Sequence, residues 1–174
     1  LLGPIAKSPI DLLEHPPATW DQVDIHRYQS TADLQALLAR HFPQCDVLIM
    51  AAAVADYRPK HHHSGKVQRE AGGMTLELES TPDLVAECAR GKRADQRIMA
   101  FALEQPDHLL ERAAAKMQRK AVDAIIANPL EAMDAPDIAA TLIPATGEPL
   151  PLPQQDKSHT AHRIMHWIEQ WWAT

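Results

Sequence analysis

Apolar residues along the chain fall into short continuous runs that alternate with amphipathic stretches. The runs at 46–53, 98–103 and 122–127 are typical of strands buried on both faces of a parallel sheet. Apolar residues spaced by three or four positions predict helices between and after these runs. The predicted helices begin near Ser30, Thr81, Asp107 and Ser158. Strands that alternate with helices predict an α/β fold, with a Rossmann-like, doubly wound and mostly parallel sheet.

Two of the predicted helices start with N-terminal signals. Ser30 and Asp33 resemble a capping box with Asp in the position of Glu, and Pro43 ends the helix that they open. The apolar face of that helix is Leu34, Leu37, Leu38 and His41. Thr81-Pro82-Asp83 supplies a favoured N-cap, a proline in the first turn and an acid near the positive end of the helix dipole. In the helix over 107–120, the predicted buried positions are Leu109, Leu110, Ala113, Ala114 and Met117.

The remaining segments predict strands of another kind, and loops. Residues 74–79 alternate as a half-exposed strand, and 139–143 pairs with 148–152 across the turn at 145–147 as a small antiparallel element. We also expect the end of a strand at 1–5 and a short strand at 23–25. Two stretches without periodicity predict a long loop at 6–22 and a mobile flap at 58–73.

The stretch from Val47 to Pro59 combines a strand pattern with candidate chemistry. Its apolar run changes to small residues at Ala51, Ala52 and Ala53, and a polar cluster follows that begins at Asp56. Ligands of open α/β sheets bind beyond the carboxyl ends of the strands. Small residues there let a flat ligand approach the backbone, and an acid can accept hydrogen bonds from two ribose hydroxyls. The alternative is that the alanines only allow a helix to pack closely.

Composition and charge narrow the class of protein. The 174 residues predict one domain, and the formal net charge of −6 argues against a nucleic-acid partner, which needs a basic face. No apolar run approaches the length of a membrane span. Cys45 and Cys88 are too few for a disulfide framework, so we expect reduced core residues and a cytoplasmic protein. The chain begins at Leu1 inside an apolar run, which predicts a piece of a longer polypeptide.

No glycine-rich phosphate motif occurs in the sequence, neither G-x-G-x-x-G nor G-x-x-x-x-G-K-[ST]. If the domain binds a nucleotide, helix N-termini and cations must hold its phosphates. The first-turn N–H groups of Asp83, Leu84 and Val85 are candidates. So are Lys116 and Lys120, which share one helix face at a spacing of four. A lysine pair on a helix is more often only a solvated face.

Several motifs together resemble the phosphopantothenoylcysteine synthetase (phosphopantothenate–cysteine ligase) family, the second half of bacterial bifunctional coenzyme A biosynthesis proteins. The most specific is the segment 51–59, Ala-Ala-Ala-Val-Ala-Asp-Tyr-Arg-Pro. In the family's order there follow a lysine flap motif, a Thr-Pro-Asp motif, a Phe-Ala motif with a glutamate, and a Lys-x-x-x-Lys helix with the strand after it. Here these are 66–69, Thr81–Leu84, 100–104 and 115–128.

The resemblance implies a ligase that joins 4′-phosphopantothenate to cysteine with a nucleoside triphosphate, CTP or ATP, and Mg²⁺. Lys66 would be the catalytic residue, stabilising charge at the α-phosphate. Asp56 would hold the ribose hydroxyls, and Phe101 would lie beside the base. The other implied nucleotide-binding residues are Met50, Ala51, Ala52, Pro82, Asp83, Leu84, Val85, Lys116 and Lys120. No metal ligand is assigned. The resemblance also implies a homodimer, with 74–79 and 139–152 projecting. It leaves open whether a flavin-dependent decarboxylase half is fused to this domain.

Some positions depart from the family pattern. Gln68 replaces a flap lysine, Leu103 replaces an alanine, and 133–138 replaces the family's Phe-x-x-Asp-x-Asn loop. The first strand and the glycine-rich turn of the family domain are also missing from the chain. Two alternatives therefore stay open: a non-catalytic nucleotide-binding relative, and an unrelated Rossmann-type oxidoreductase, against which the missing glycine fingerprint argues.

Histidines and tryptophans outside these motifs are expected to belong to the surface and to the packing of the last helix. The run at 61–63 predicts a polar flap rather than a metal site. His159, His162 and His166 share a helix face and are a weak candidate for zinc. The tryptophans of the last helix, Trp167, Trp171 and Trp172, are expected to pack it onto the sheet or a partner.

Overall fold

A computed structural model of the chain describes residues 23–61, 65–66, 73–132 and 135–172. The predictions for residues 1–5 and 6–22, and for most of the histidine run, lie outside the described residues. The described part forms two compact units. The first contains the residues up to His41 together with Ala52–Leu84, and the second contains Phe42–Ala51 and the residues from Val85 onward.

The described residues contain four α-helices and seven strands. The helices are α1 (Thr31–His41), α2 (Leu84–Arg90), α3 (Leu109–Lys120) and α4 (Lys157–Trp172). The strands are β1 (Val47–Met50), β2 (Tyr57–Pro59), β3 (Leu78–Ser80), β4 (Arg97–Glu104), β5 (Ala124–Pro129), β6 (Asp137–Pro144) and β7 (Leu150–Asp156).

The second unit is built on a five-stranded sheet in the order β1-β4-β5-β6-β7. Strands β1, β4 and β5 are parallel, whereas β6 runs antiparallel to β5 and β7 antiparallel to β6. The predicted α/β fold is therefore confirmed. The predicted 139–152 hairpin also forms, and Gly147 closes its turn with a φ of +106°, a value that favours glycine. It does not project, however, because β6 pairs with β5 and extends the main sheet.

Two strand predictions were wrong in extent, and a third predicted strand does not form. The strand expected at 46–53 pairs with β4 only as far as Met50, and the alanines after it are exposed. The strand expected at 74–79 is β3, which begins at Leu78 and pairs with β2. Residues 23–25 form no strand, because Val23 and Ile25 are exposed and so gain no burial from an extended conformation. Strand ends depend on partners that a local pattern does not specify.

The helix starts were predicted with mixed success. The capping box at α1 is confirmed: the Asp33 N–H donates to Ser30 Oγ at 3.1 Å, and the Ser30 N–H donates to Asp33 Oδ2 at 2.9 Å. Hydrogen bonding lowers the pKa of Asp33. The Ser30 hydroxyl has the largest effect, and the backbone N–H groups of Gln29 and Ser30 add smaller ones. Thr81 is not the N-cap of α2, which begins only at Leu84. Its hydroxyl donates instead to the carbonyl of Ala55.

The helices α3 and α4 account for much of the core of the second unit. Helix α4 buries Ile164 and Ile168 in a cluster with residues of β4 to β7, and Trp167 and Trp171 pack against this cluster, as predicted. Helix α3 packs on β4 and β5 and buries Ala113 and Met117. Two expectations for α3 were wrong. It begins at Leu109 after a 3₁₀ turn, and Leu110 is exposed because it lies away from the buried positions.

Two polar side chains form hydrogen bonds between distant segments of the second unit. Asp123 accepts the Ile98 N–H at 2.8 Å through Oδ2 and pairs with Lys92 through Oδ1. The Gln96 side chain is 1 % exposed and donates to the carbonyls of Phe42 and Cys45, each at 2.7 Å. Both side chains therefore link segments that are distant in sequence.

Both cysteines are free, as the sequence predicts for reduced thiols. Burial raises the pKa of Cys88 to about 11, with a smaller contribution from Cys45. Burial also raises the pKa of Cys45, which is only partly buried. Both thiols therefore stay protonated at neutral pH and make poor nucleophiles.

Candidate functional site

The parallel strands of the second unit end at one edge of the sheet. Met50 ends β1 opposite Ala100, and β4 continues from there to Glu104. Asn128, near the end of β5, lies opposite Leu103. Ligands of open α/β sheets bind beyond this carboxyl edge. It is therefore the edge at which the predicted site residues are expected.

Alternation along β4 separates the predicted site residue Phe101 from Glu104, the glutamate of the same motif. Phe101 is partly buried and packs against the cluster that α4 covers, on the same face as Met99. Glu104 lies on the other face, where it contacts Lys116 of α3. The Phe101 ring thus already has packing partners in its own unit, and its place beside a nucleotide base stays a prediction.

Lys116 lies beside a carboxylate. Its Nζ lies 3.8 Å from Glu104 Oε1, and the two side chains are 29 % and 17 % exposed. Lys120, one turn further along α3, is also partly buried and has contacts of its own. The two lysines are therefore not fully solvated, as lysines four residues apart on a helix usually are.

Asn128 is a further candidate for contact with a ligand. In the sequence it is only the last residue of the 115–128 motif. Its Oδ1 is buried and accepts no hydrogen bond within the part of the chain that the structure describes. A buried acceptor without a donor is uncommon in folded proteins. The signal in the sequence was an amide side chain directly after the apolar run of β5.

The first unit holds the segment after β1. The Thr81 N–H donates to the Asp56 carbonyl at 2.9 Å, and the Thr81 hydroxyl donates to Ala55. These contacts hold Asp56 beside the Thr-Pro-Asp motif. The carboxylates of Asp56 and Asp83 are exposed.

The flap lysine stays an expectation. Lys66 is exposed. The structure does not describe residues 62–64 and 67–72, which lie on either side of Gly65 and Lys66. The rest of the predicted flap motif, including Gln68, is not described.

The predicted site residues are divided between the two units. The first unit contains Ala52, Asp56, Lys66, Pro82, Asp83 and Leu84, and the second contains Met50, Ala51, Val85, Phe101, Lys116 and Lys120. Ala51 and Ala52 are consecutive, as are Leu84 and Val85, so the chain crosses between the two sets twice. That all twelve residues meet on one ligand stays a prediction.

The zinc alternative at α4 is not supported. Each histidine has another neighbour: His159 contacts Asp156, His162 contacts the Ser158 carbonyl at 2.8 Å, and His166 contacts Gln170 at 2.9 Å. Across the described ranges, no group of three or more His, Cys, Asp or Glu side chains is arranged to hold a metal ion. In those same ranges, no helix combines the length and apolarity needed to cross a membrane.

Comparison with known proteins places the chain in a family. Residues 10–171 match the family described as the DNA/pantothenate metabolism flavoprotein C-terminal domain. The chain belongs to this family. The motifs quoted above therefore identified the correct family.

The curated relatives of this flavoprotein C-terminal domain are longer than the chain. The coenzyme A biosynthesis bifunctional protein CoaBC of Bacillus subtilis (strain 168) is 36% identical over 104 residues, which are 60% of the chain and 25% of the relative. A cysteine/cysteine sulfinic acid decarboxylase from an unknown prokaryotic organism is 31% identical over 131 residues, 75% of the chain and 34% of the relative. The chain thus spans between a quarter and about a third of these proteins.

Two solved structures share the fold of the chain. The C-terminal domain of a CoaBC protein superposes with a TM-score of 0.73 at 29% identity, covering 97% of the chain and 70% of that domain. A Cab2 mutant in complex with phosphopantothenate-cysteine superposes with a TM-score of 0.64 at 15% identity, covering 88% of the chain and 56% of Cab2. At that identity, the second match shows the fold alone.

Proposed function

We propose that the chain is the part of a ligase that joins 4′-phosphopantothenate to cysteine in coenzyme A biosynthesis. The observation that carries this proposal is the family match over residues 10–171. The likeness to the solved CoaBC domain supports it, because that domain covers 97% of the chain. The Bacillus subtilis relative is named a bifunctional protein, which agrees with a decarboxylase half elsewhere in the polypeptide. A cytoplasmic location stays a prediction.

The reaction would run in two steps through an acyl-nucleotide. The carboxylate of 4′-phosphopantothenate attacks the α-phosphorus of CTP, and the bond to pyrophosphate breaks. The amine of cysteine then attacks the acyl carbon, loses a proton and displaces CMP. Activation is needed because a carboxylate is a poor acyl donor, whereas CMP is a good leaving group. ATP would serve by the same chemistry.

Positioning and charge stabilisation are what the chain would supply. Lys116 and Lys120 would neutralise phosphate charge, Lys66 would act at the α-phosphate, and Asp56 would hold the ribose. Mg²⁺ is commonly bound by one or two carboxylates together with substrate phosphates and water. The exposed carboxylate of Asp83 is of the kind that this mode uses. Mg²⁺ would supply charge neutralisation on the pyrophosphate.

The test is release of pyrophosphate by the natural polypeptide that contains this chain. With 4′-phosphopantothenate, Mg²⁺ and CTP or ATP, we expect continuous release when cysteine is present. Without cysteine we expect release of at most about one equivalent, because the acyl-nucleotide stays bound. No release with either nucleotide would overturn the proposal.

A non-catalytic nucleotide-binding relative is the second candidate, favoured by the departure at Gln68. It predicts CTP binding in a calorimeter with no pyrophosphate release. The family match argues against the third hypothesis, a Rossmann-type oxidoreductase.

The β2–β3 hairpin supports a further part of the proposal, a homodimer. Arg58 and Glu79 form an ion pair at 2.7 Å on one face of the hairpin. Alternation places Tyr57 and Leu78 on the other face, where they are 63 % and 51 % exposed. Exposed apolar faces of this kind commonly mark association surfaces.

We expect the wild-type protein to sediment as a dimer at micromolar concentration. Leu78→Glu should shift it to the monomer, because a charge would be buried in the apolar contact. Met165→Glu is the matched control, since Met165 is 48 % exposed, close to the value for Leu78, but lies on α4. A wild-type protein that sediments only as a monomer would contradict the dimer.

A further inference from the structure

The pair between Glu104 and Lys116 lies where β4 ends. Glu104 is the last residue of β4, and its carboxylate is 17 % exposed. Lys116 reaches it from the middle of α3, and its side chain is 29 % exposed. The pair is therefore largely withdrawn from water, at the edge of the sheet where ligands of this fold class bind.

Seating α3 on the sheet does not need this pair. The helix already buries Ala113 and Met117 against β4 and β5. An apolar pair would fill the same space without the cost of desolvating two charges. The presence of two charges here thus favours a role that an apolar pair would not fulfil.

The geometry fits a restraint on the lysine. A lysine side chain loses rotamer entropy whenever its ammonium group is fixed on a ligand. A carboxylate 3.8 Å from Nζ restricts the side chain beforehand and keeps the ammonium group at the sheet edge. Because the distance exceeds that of a hydrogen bond, the Nζ donors remain available for phosphate oxygens.

We propose that Glu104 is a positioning residue that holds Lys116 ready for the phosphates of a bound nucleoside triphosphate. The proposal rests on the proposed function, since it needs a nucleotide at this edge. Glu104 acts through Lys116, so its effect should disappear when the lysine is removed.

Glu104→Gln removes the charge and nearly preserves the volume. We expect the dissociation constant for CTP to rise about three- to tenfold, because Lys116 loses its fixed neighbour. The kcat value should stay within about twofold, since the restraint acts equally on bound substrate and transition state. Glu111→Gln is the control. Glu111 lies on α3, the helix that carries Lys116, but its side chain is 84 % exposed.

A double-mutant cycle decides between positioning and a purely structural contact. CTP binding is measured by calorimetry for the wild type, Glu104→Gln, Lys116→Gln and the double variant, and thermal unfolding is recorded for each. We expect the double variant to bind CTP no more weakly than Lys116→Gln alone. Additive losses, or a Glu104→Gln protein that binds like the wild type, would overturn the proposal. A wild type that does not bind nucleotide would overturn the proposed function as well.

Discussion

Replacing Asp123 by alanine should lower the free energy of unfolding by about 2–3 kcal/mol. The Asp123 carboxylate accepts the Ile98 N–H at 2.8 Å and pairs with Lys92, and both charged side chains are 20% exposed. The substitution leaves a backbone donor at the start of β4 and a partly buried ammonium group without their acceptor. Such losses cost more than that of an exposed ion pair. Urea unfolding followed by circular dichroism measures the effect.

Two further variants show which interaction is responsible. Asp95→Ala removes an exposed carboxylate that pairs with Arg93, and it should change the unfolding free energy by less than about 0.5 kcal/mol. Lys92→Met keeps the hydrogen bond to Ile98 and should cost less than Asp123→Ala. If Asp123→Ala unfolds at the same urea concentration as Asp95→Ala, the assigned role of Asp123 is wrong.

Replacing Lys66 by glutamine should reduce turnover by about one to two orders of magnitude. A charge-assisted contact to phosphate contributes roughly 1.5–3 kcal/mol, and the proposed contact forms at the α-phosphate, where charge develops during the first step. The loss should therefore appear in kcat rather than in the affinity for CTP. Steady-state kinetics of pyrophosphate release and calorimetry of CTP binding separate the two effects.

Lys60 offers a matched control for this experiment. Lys60→Gln changes the net charge by the same amount. Lys60 Nζ, however, pairs with Glu77 Oε1 at 2.6 Å, next to the paired strands β2 and β3. It should leave turnover within about twofold, because an exposed pair of this kind contributes little. An equal loss in both variants would point to general electrostatics and argue against a specific role for Lys66.

Local signals in the sequence predicted which helices and strands occur better than they predicted the residues at which these begin and end. The capping box at Ser30 and Asp33 could be predicted because both partners lie within one helical turn. Thr81 shows the limit. It carries a good N-cap signal, yet its hydroxyl bonds to Ala55, 26 residues away, and the helix starts later. Contacts between distant segments can override a local preference, and a single sequence does not display them.

The candidate site shows the same division. The motif match supplied the family and the residue types, and the structure added the partners of individual side chains. The contact of Glu104 with Lys116 follows from the packing of α3 on β4, so no spacing rule predicts it. The buried Oδ1 of Asn128 also depends on its surroundings. Alternation along β4, by contrast, could have indicated in advance that Phe101 and Glu104 face opposite sides.

The division of the chain into two units also affects how it folds. The second unit is discontinuous: Gln96 must reach Cys45, 51 residues earlier, and β1 must pair with β4 across the whole of the segment 52–84. Contacts over such separations make folding slow, because a long loop closes before they form. The entropy of closing a loop grows only slowly with its length. Insertions between β2 and β3 should thus cost the five-stranded sheet little stability, because every strand of that sheet lies outside this segment.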